Sequence, residues 1–158
     1  MSRRKRVTRV LFVCLGNICR STMAQYVMQD LVRRRGLATE FEIDSAGTSY
    51  WEDGRPVHRG TREKLRQEGV PCGDHRARRV KAGEYRDWDY IIGMDEENRS
   101  DLLDVFRGDP DGRVHLLLDW TDEPRDIADP WWTGDFDATY DDVLAGCEGL
   151  LSSLYGDW

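Results

Sequence analysis

The sequence is poor in cysteine, proline and histidine, and it has no long apolar run. Its 158 residues include four cysteines, five prolines and three histidines. Four cysteines are too few for a disulfide framework in a chain of this length, so we expect free thiols and a cytoplasmic protein. No apolar stretch approaches the ~20 residues that cross a bilayer, and we therefore expect no membrane partner.

Repeats, low-complexity segments and interdomain linkers are also missing. Apolar residues make up 39% of the chain and charged residues 34%, which is typical of a soluble globular protein. The apolar run at residues 10–15 is shorter than the core of a signal peptide, although secretion without one stays open. We expect one domain over residues 1–158, with a flexible basic tail over residues 1–8.

The net charge of −7 is unevenly distributed. Residues 1–94 hold 19 basic and 12 acidic side chains, whereas residues 95–158 hold 4 and 18. Nucleic-acid binding needs a basic face together with a recognition motif, and no such motif accompanies these arginines. Solvated helix faces explain the charges more simply, so we expect no nucleic-acid partner.

Short apolar strands alternate with helical patterns along the chain. The sequence predicts strands over residues 9–13, 40–45, 90–94 and 114–118, and helices over residues 21–35, 56–68, 95–106 and 137–155. Ser21 or Thr22 is the predicted cap of the first helix. This alternation indicates βαβ units and therefore an α/β fold with a parallel sheet.

The most informative stretch is VLFVCLGNICRST, residues 10–22, in which a strand ends at Cys14 and a short loop leads into a helix. Ligands of α/β folds bind beyond the carboxyl ends of the strands, and helix N-termini attract anions. Gly16 permits a tight backbone path, Asn17 tolerates unusual dihedral angles, and the Arg20 guanidinium matches phosphate oxygens. Cys14 should therefore be a thiolate nucleophile beside a cradle for a tetrahedral anion.

Other interpretations of this stretch have less support. It is not a Walker-type loop, because GxxxxGK[ST] is absent. The sequence spacing of a zinc site could be met by Cys14, Cys19, Cys72 and His75. The arginine next to Cys19, Arg20, argues against a metal. An isolated cysteine is most often a small buried apolar residue, and only the whole run CLGNICRS makes a nucleophile the better interpretation.

The chain resembles the low-molecular-weight protein tyrosine phosphatases. CLGNICRS at residues 14–21 fits the family's C-x5-R-[ST] loop, and Asp129-Pro130 supplies its late Asp-Pro pair. Further matches lie at residues 44–48, at Trp51, at residues 74–78 and at residues 94–95, so that the similarity covers about residues 8–155. The resemblance implies a single domain with a four-stranded parallel sheet of order 2-1-3-4, helices on both faces, and a phosphate-binding loop after strand 1.

The resemblance also implies a two-step hydrolysis without metal or cofactor. Cys14 would be the nucleophile, Arg20 would stabilise the transition state, and Asp129 would be general acid and base; the residues alone leave Asp119, Asp122, Asp126, Asp129 and Asp135 open for that last role. The remaining implied contacts form two sets. Phosphate and substrate would be held by Leu15, Gly16, Asn17, Ile18, Cys19 and Ser21, and the loop would be supported by Ser45, His75 and Asp95.

The substrate implied is a phosphotyrosine-containing protein, with phosphate, vanadate or sulfate as further ligands and a monomer or weak dimer as the assembly. Trp51, Trp131 and Trp132 are candidate walls for an aryl group, whereas Trp88 and Trp120 are predicted core residues. In relatives, cysteines at positions 14 and 19 can form a reversible disulfide; a packed Cys19 thiol is an equal alternative. Cys72 and Cys147 are predicted to be structural.

Three alternatives to a tyrosine phosphatase remain. Relatives that hydrolyse phosphoarginine tend to carry threonine where this chain has Ile18, so isoleucine favours phosphotyrosine. Arsenate reductases of this fold need a closely spaced second cysteine pair, and Cys72 and Cys147 are 75 positions apart. A non-catalytic phosphate-binding module would need neither Cys14 nor Asp129.

Overall fold

Four strands pair in parallel in the computed structural model, which describes residues 6–156. Their bounds are β1, Thr8–Cys14; β2, Phe41–Gly47; β3, Tyr90–Gly93; and β4, Val114–Leu116. They form one sheet in the order β2-β1-β3-β4. The predicted α/β class and strand order are confirmed.

The helices of the described residues alternate with these strands. The α-helices are α1, Arg20–Arg34; α2, Arg59–Gln67; α3, Glu96–Phe106; α4, Pro130–Thr133; and α5, Phe136–Tyr155. Short 3-10 helices cover Ala38–Glu40, Ala82–Asp87 and Leu117–Trp120. None of the helices among residues 6–156 is long and apolar enough to cross a bilayer.

Helices cover both faces of the sheet. Because successive side chains of a strand point to opposite faces, β1 contributes to the core on each side. Val10 and Phe12 of β1 are fully buried in a core that α1 and α5 share. Leu11 and Val13 are fully buried on the other face, against residues of α3 and of the 3-10 helix Ala82–Asp87. With both faces covered, β1 is apolar along most of its length, as buried parallel strands are. Packing on both faces fixes β1, and therefore fixes the position of Cys14 at its carboxyl end.

Several predicted boundaries of helices and strands are wrong. Helix α1 begins at Arg20 with Cys19 at its N-cap, so neither Ser21 nor Thr22 caps it. Helix α2 begins at Arg59, because Pro56 pairs antiparallel with Arg76 and the chain enters the helix only after His58. Strand β4 ends at Leu116, where the chain turns into a 3-10 helix.

The predicted core tryptophans are largely inside. Trp88 is buried, and Trp120 is half-buried against the core of α1 and α5. Most of the predicted basic tail lies outside the described residues. In its described part, an Arg6 nitrogen donates to Asp89 and Thr8 already belongs to β1.

Candidate active site

The loop that joins β1 to α1, with its flanking residues here called the Cys14 loop (residues 14–21), is held by the end of β2. The Thr48 N–H donates to the Cys14 carbonyl and the Ser49 N–H to the Leu15 carbonyl, each at 3.0 Å. Gly47 makes this approach possible, since a Cβ there would lie 2.8 Å from the Leu15 oxygen. Any larger residue at position 47 would push the loop away from the sheet.

Asn17 fixes the shape of the Cys14 loop. Its φ of 57° lies in the left-handed region, which asparagine tolerates better than most residues. The buried amide donates from Nδ2 to Ser21 Oγ at 2.9 Å and to Ser45 Oγ at 3.0 Å. Its Oδ1 accepts from His75 Nε2 at 2.8 Å and from the Arg78 N–H at 3.1 Å. All the hydrogen-bonding positions of this side chain are occupied, so the turn is tightly held.

His75 supports Asn17 as a neutral ring. Burial lowers the pKa of His75, and the Arg78 charge adds to this, although Asp44 opposes both. Since Asn17 Oδ1 can only accept, the proton of the neutral ring is assigned to Nε2. The predicted supports Ser45 and His75 therefore reach the loop through one amide, and Ser45 Oγ also donates to Gln25 at 2.5 Å.

The Cys14 side chain is buried at the base of the loop. Its Sγ lies 3.0 Å from Ser21 Oγ. Ser21 already accepts a hydrogen from Asn17, which leaves its own hydroxyl hydrogen free to point at sulfur. An O–H aimed at sulfur stabilises a thiolate more than a thiol.

Arg20 lies under the loop and is almost fully buried. Its Nη1 donates to Asp95 Oδ2 at 2.6 Å and to the Ile127 carbonyl at 2.8 Å. Burial would lower the Arg20 pKa, but the charges of Cys14, Asp95 and Asp129 raise it above its ordinary value. The buried Nε has no hydrogen-bond partner among residues 6–156. One donor of this firmly positioned cation is therefore not committed to another residue among those described.

Asp129 is the predicted candidate acid that faces Arg20, with 3.5 Å between Oδ2 and Nη2. Its Oδ1 accepts the Trp131 N–H at 3.0 Å, which caps the single turn of α4. The other predicted candidates have different surroundings: Asp119 pairs with Arg99, Asp126 accepts from Glu96, Asp135 caps α5, and Asp122 lines a separate surface hollow. Geometry therefore favours Asp129 where sequence reasoning from residues alone left five choices.

A cavity of about 150 Å³ opens above the loop. It is lined by Cys14, Leu15, Gly16, Ile18, Cys19, Ser49, Trp51, Glu52, Asp129, Trp131 and Trp132. The three predicted tryptophan walls are thus brought together with the sulfur, and their outer edges stay exposed to solvent. The cavity lining does not include the buried residues Asn17, Arg20 and Ser21. The predicted supports do not line it either: Ser45 and His75 contact Asn17, and Asp95 contacts Arg20.

Ser49 and Glu52 line the cavity although the sequence analysis did not select them. Ser49 Oγ donates to the Leu15 carbonyl at 3.0 Å, and Glu52 Oε2 lies 3.1 Å from Arg55 Nε. Both belong to a polar loop whose sequence is typical of a solvent-exposed surface. Only their position could have indicated a role in the site, since Ser49 and Glu52 lie on either side of the predicted wall residue Trp51.

Residues 9–157 match a family described as low molecular weight phosphotyrosine protein phosphatase. The chain belongs to this family. The low molecular weight protein-tyrosine-phosphatase YfkJ of Bacillus subtilis is 42% identical over 147 residues, which are 92% of this chain and 94% of the relative. The crystal structure of YfkJ superposes with a TM-score of 0.92 at 40% identity, covering 96% of this chain and 97% of that one. A drosophila arginine phosphatase superposes with a TM-score of 0.83 at 32% identity, covering 94% and 99%.

The other thiols of this phosphatase differ from Cys14 in their surroundings. All four cysteines are free in this structure. Burial raises the pKa of Cys19, and the neighbouring charges of Cys14 and Asp129 raise it further, so Cys19 stays a thiol at neutral pH. Burial also raises the pKa of the fully buried Cys147 thiol and of the half-buried Cys72 thiol. Among residues 6–156, no three His, Cys, Asp or Glu side chains cluster closely enough to hold a metal ion.

Proposed function

We propose that the protein hydrolyses phosphotyrosine in protein substrates through a phosphocysteine intermediate. The observation that carries the proposal is the position of Cys14 Sγ, which lines an aromatic-walled cavity 3.0 Å from the Ser21 hydroxyl. A cavity of about 150 Å³ is the size of an engineered site that accepts one benzene ring, so a single aryl group is a suitable occupant. Phosphate, vanadate and sulfate are expected ligands of the same loop.

In the first step, the Cys14 thiolate attacks phosphorus in line with the tyrosine oxygen. An S–P bond forms as the P–O bond to the aryl group breaks, and the protonated Asp129 carboxyl gives its proton to the departing oxygen. Arg20 and the backbone N–H groups of the Cys14 loop hold the equatorial oxygens, where charge grows in the transition state. The step needs positioning and charge stabilisation, and no metal or cofactor takes part in it.

In the second step, water releases phosphate from sulfur. Asp129, now a carboxylate, takes a proton from the attacking water as an O–P bond forms and the S–P bond breaks. The electron pair of that bond returns to Cys14, and the Ser21 hydroxyl stabilises the departing thiolate. The free enzyme is restored once inorganic phosphate leaves.

Hydrolysis of phosphoarginine is the second candidate, favoured by the likeness to a drosophila arginine phosphatase. The Glu52 carboxylate lines the cavity and could attract a guanidinium. That carboxylate already has a cation in Arg55, and the neighbouring wall residue Ile18 offers no hydrogen-bond acceptor in its side chain. These two features favour the aryl ester over the phosphoguanidine.

The proposal is tested with p-nitrophenyl phosphate in the presence of EDTA. The wild type should turn the ester over, and Cys14→Ser should lose turnover while vanadate still binds. Cys147→Ala is the matched control, because that thiol is buried in the core and should leave the rate unchanged. Near-full activity in Cys14→Ser would assign the nucleophile elsewhere, and loss of vanadate binding in that variant would contradict the anion cradle.

A further inference from the structure

An open groove of about 900 Å³ lies along α2, between residues 56–66 and the segment at residues 69–72 that follows the helix. Val57 and Val70 contribute apolar surface to it and are themselves buried. Its charged lining comes from α2. Arg59, Arg62 and Arg66 are spaced so that they project from the same side of the helix, and Glu63 is the acidic residue of the lining. The groove therefore combines apolar surface with a row of guanidinium groups.

Two of these arginines have no counter-charge within bonding range. Arg66 is paired with Glu63, whose pKa this hydrogen bond lowers. Arg59 and Arg62 are exposed and form no ion pair within 4.0 Å of a described residue, although the Arg59 charge contributes to the lowered pKa of Glu63. The groove thus carries an excess of positive charge in a protein whose net charge is −7.

The start of α2, where the groove begins, is anchored to the active-site loop. The His58 N–H, at the start of α2, donates to the Ile18 carbonyl of the Cys14 loop at 2.8 Å. Glu52 lines the cavity and Pro56 lines the groove, four positions further along. Four residues span at most about 14 Å, and the turn in which Arg55 donates to the Glu52 carbonyl makes the separation shorter.

We propose that this groove binds acidic residues that flank the phosphotyrosine of a protein substrate, an inference that rests on the proposed function. An extended peptide advances about 3.3 Å per residue, so carboxylates roughly three to five positions from the phosphotyrosine would reach Arg59 and Arg62. An extended peptide could place apolar side chains against Val57 and Val70 and acidic side chains against the arginines. No aromatic side chain lines the groove among the described residues, so the stacking on which single-stranded nucleic acids depend is not provided.

The test compares three substrates: a phosphotyrosine peptide with glutamates three to five positions away, the same peptide with alanines there, and p-nitrophenyl phosphate. We expect the wild type to have about tenfold higher kcat/KM for the acidic peptide at low salt. Arg59→Gln/Arg62→Gln should reduce that preference to within about twofold and leave the p-nitrophenyl phosphate rate unchanged. Arg86→Gln, an exposed arginine outside the groove, is the matched control and should keep the full preference.

Salt gives a second measurement. Raising the ionic strength from about 0.01 M to about 0.15 M should remove most of the preference and leave the alanine peptide nearly unaffected, because exposed charges are then screened within about 8 Å. Equal rates for the two peptides, or a preference that survives in the double variant, would overturn the docking proposal. If the double variant instead abolished a concentration-dependent dimer, the groove would bind the acidic half of a second copy, which also overturns it. Absence of p-nitrophenyl phosphate turnover in the wild type would contradict the proposed function itself.

Discussion

Ser21 Oγ lies 3.0 Å from Cys14 Sγ and at the same time accepts a hydrogen bond from Asn17 Nδ2. The second contact orients the first, because it occupies a lone pair of the hydroxyl and turns the O–H toward sulfur. Asn17 is itself held by His75 and Ser45. A chain of hydrogen bonds thus runs from the half-buried histidine to the buried sulfur, in which each member donates to the next.

Ser21→Ala should lower kcat by about 10- to 100-fold, because a hydrogen bond to a charged group is worth ~1.5–3 kcal/mol. The loss should fall mainly on the second step, in which the thiolate departs from phosphorus. Rapid mixing with p-nitrophenyl phosphate should therefore show a burst of p-nitrophenol followed by slow turnover. Ser153→Ala is the control, since that hydroxyl caps a carbonyl within α5. An unchanged kcat in Ser21→Ala would leave this hydroxyl with a structural role alone.

Asp129→Asn should slow hydrolysis of phenyl phosphate by ~10²–10⁴, the usual contribution of general acid–base catalysis. The loss should be smaller for p-nitrophenyl phosphate, whose leaving group departs more readily without a proton. Asp126→Asn is the matched control, since its carboxylate accepts from the Glu96 N–H outside the cavity. Equal losses for the two esters would indicate that Asp129 acts through Arg20, which lies 3.5 Å away, rather than as the acid.

The fold could be predicted because its signals are local and repeated. Alternating apolar strands and helices define the α/β class, and the run at residues 10–22 marks the strand end, the turn and the helix that make the loop. The helix boundaries were less accurate because they depend on tertiary contacts. Pro56 joins a bridge with Arg76 instead of opening α2, and Ser21 is drawn to sulfur instead of capping α1.

The site was only partly predictable for the same reason. Cys14, Arg20 and the loop between them are contiguous in sequence, but the carboxylate that faces them comes from 109 positions beyond Arg20. The sequence alone does not separate the five candidate aspartates between residues 119 and 135, and three-dimensional proximity to Arg20 distinguishes Asp129. Glu52 was not predicted because an acidic residue in a polar loop carries no local sign that its side chain will line a cavity.

The stability of the protein should fall as pH decreases below about 6.5, in part because of His75. Burial lowers the folded-state pKa of His75, so between that value and about 6.5 the unfolded chain binds more protons than the folded one. His75 therefore makes the free energy of unfolding depend on pH only within and below this window. The free energy of unfolding decreases as pH falls through the window. In His75→Gln, chemical unfolding followed from pH 7.5 to pH 5.5 should show a shallower decline.

His115 separates the effect on stability from the effect on catalysis. Burial lowers its pKa as well, but it packs against Tyr90 and Trp120, away from the Cys14 loop. His115→Gln should also flatten the decline in stability, without changing phosphatase kinetics. His75→Gln keeps an N–H donor for Asn17 and should retain activity, whereas His75→Leu removes that donor and should not. A steeper decline in His75→Gln than in the wild type would reverse the assigned direction of the pKa shift.

Ile18 should set the choice between phosphotyrosine and phosphoarginine. Its side chain is buried beside Cys19 and lines the cavity, where it offers a bound substrate only apolar contact. Each N–H of a phosphoguanidine that loses water without finding an acceptor costs ~1–3 kcal/mol, whereas an aryl ester has no such group near the phosphate. Ile18→Thr adds a hydroxyl acceptor and should raise the ratio of kcat/KM for phosphoarginine over phosphotyrosine peptides by roughly tenfold.

Ile18→Val has the shape of threonine without the hydroxyl, so it separates the hydrogen bond from the loss of a methyl group and should leave the ratio near that of the wild type. If valine and threonine change the ratio equally, cavity volume rather than hydrogen bonding determines the choice, and if the wild type already prefers phosphoarginine, the isoleucine wall does not select the aryl ester.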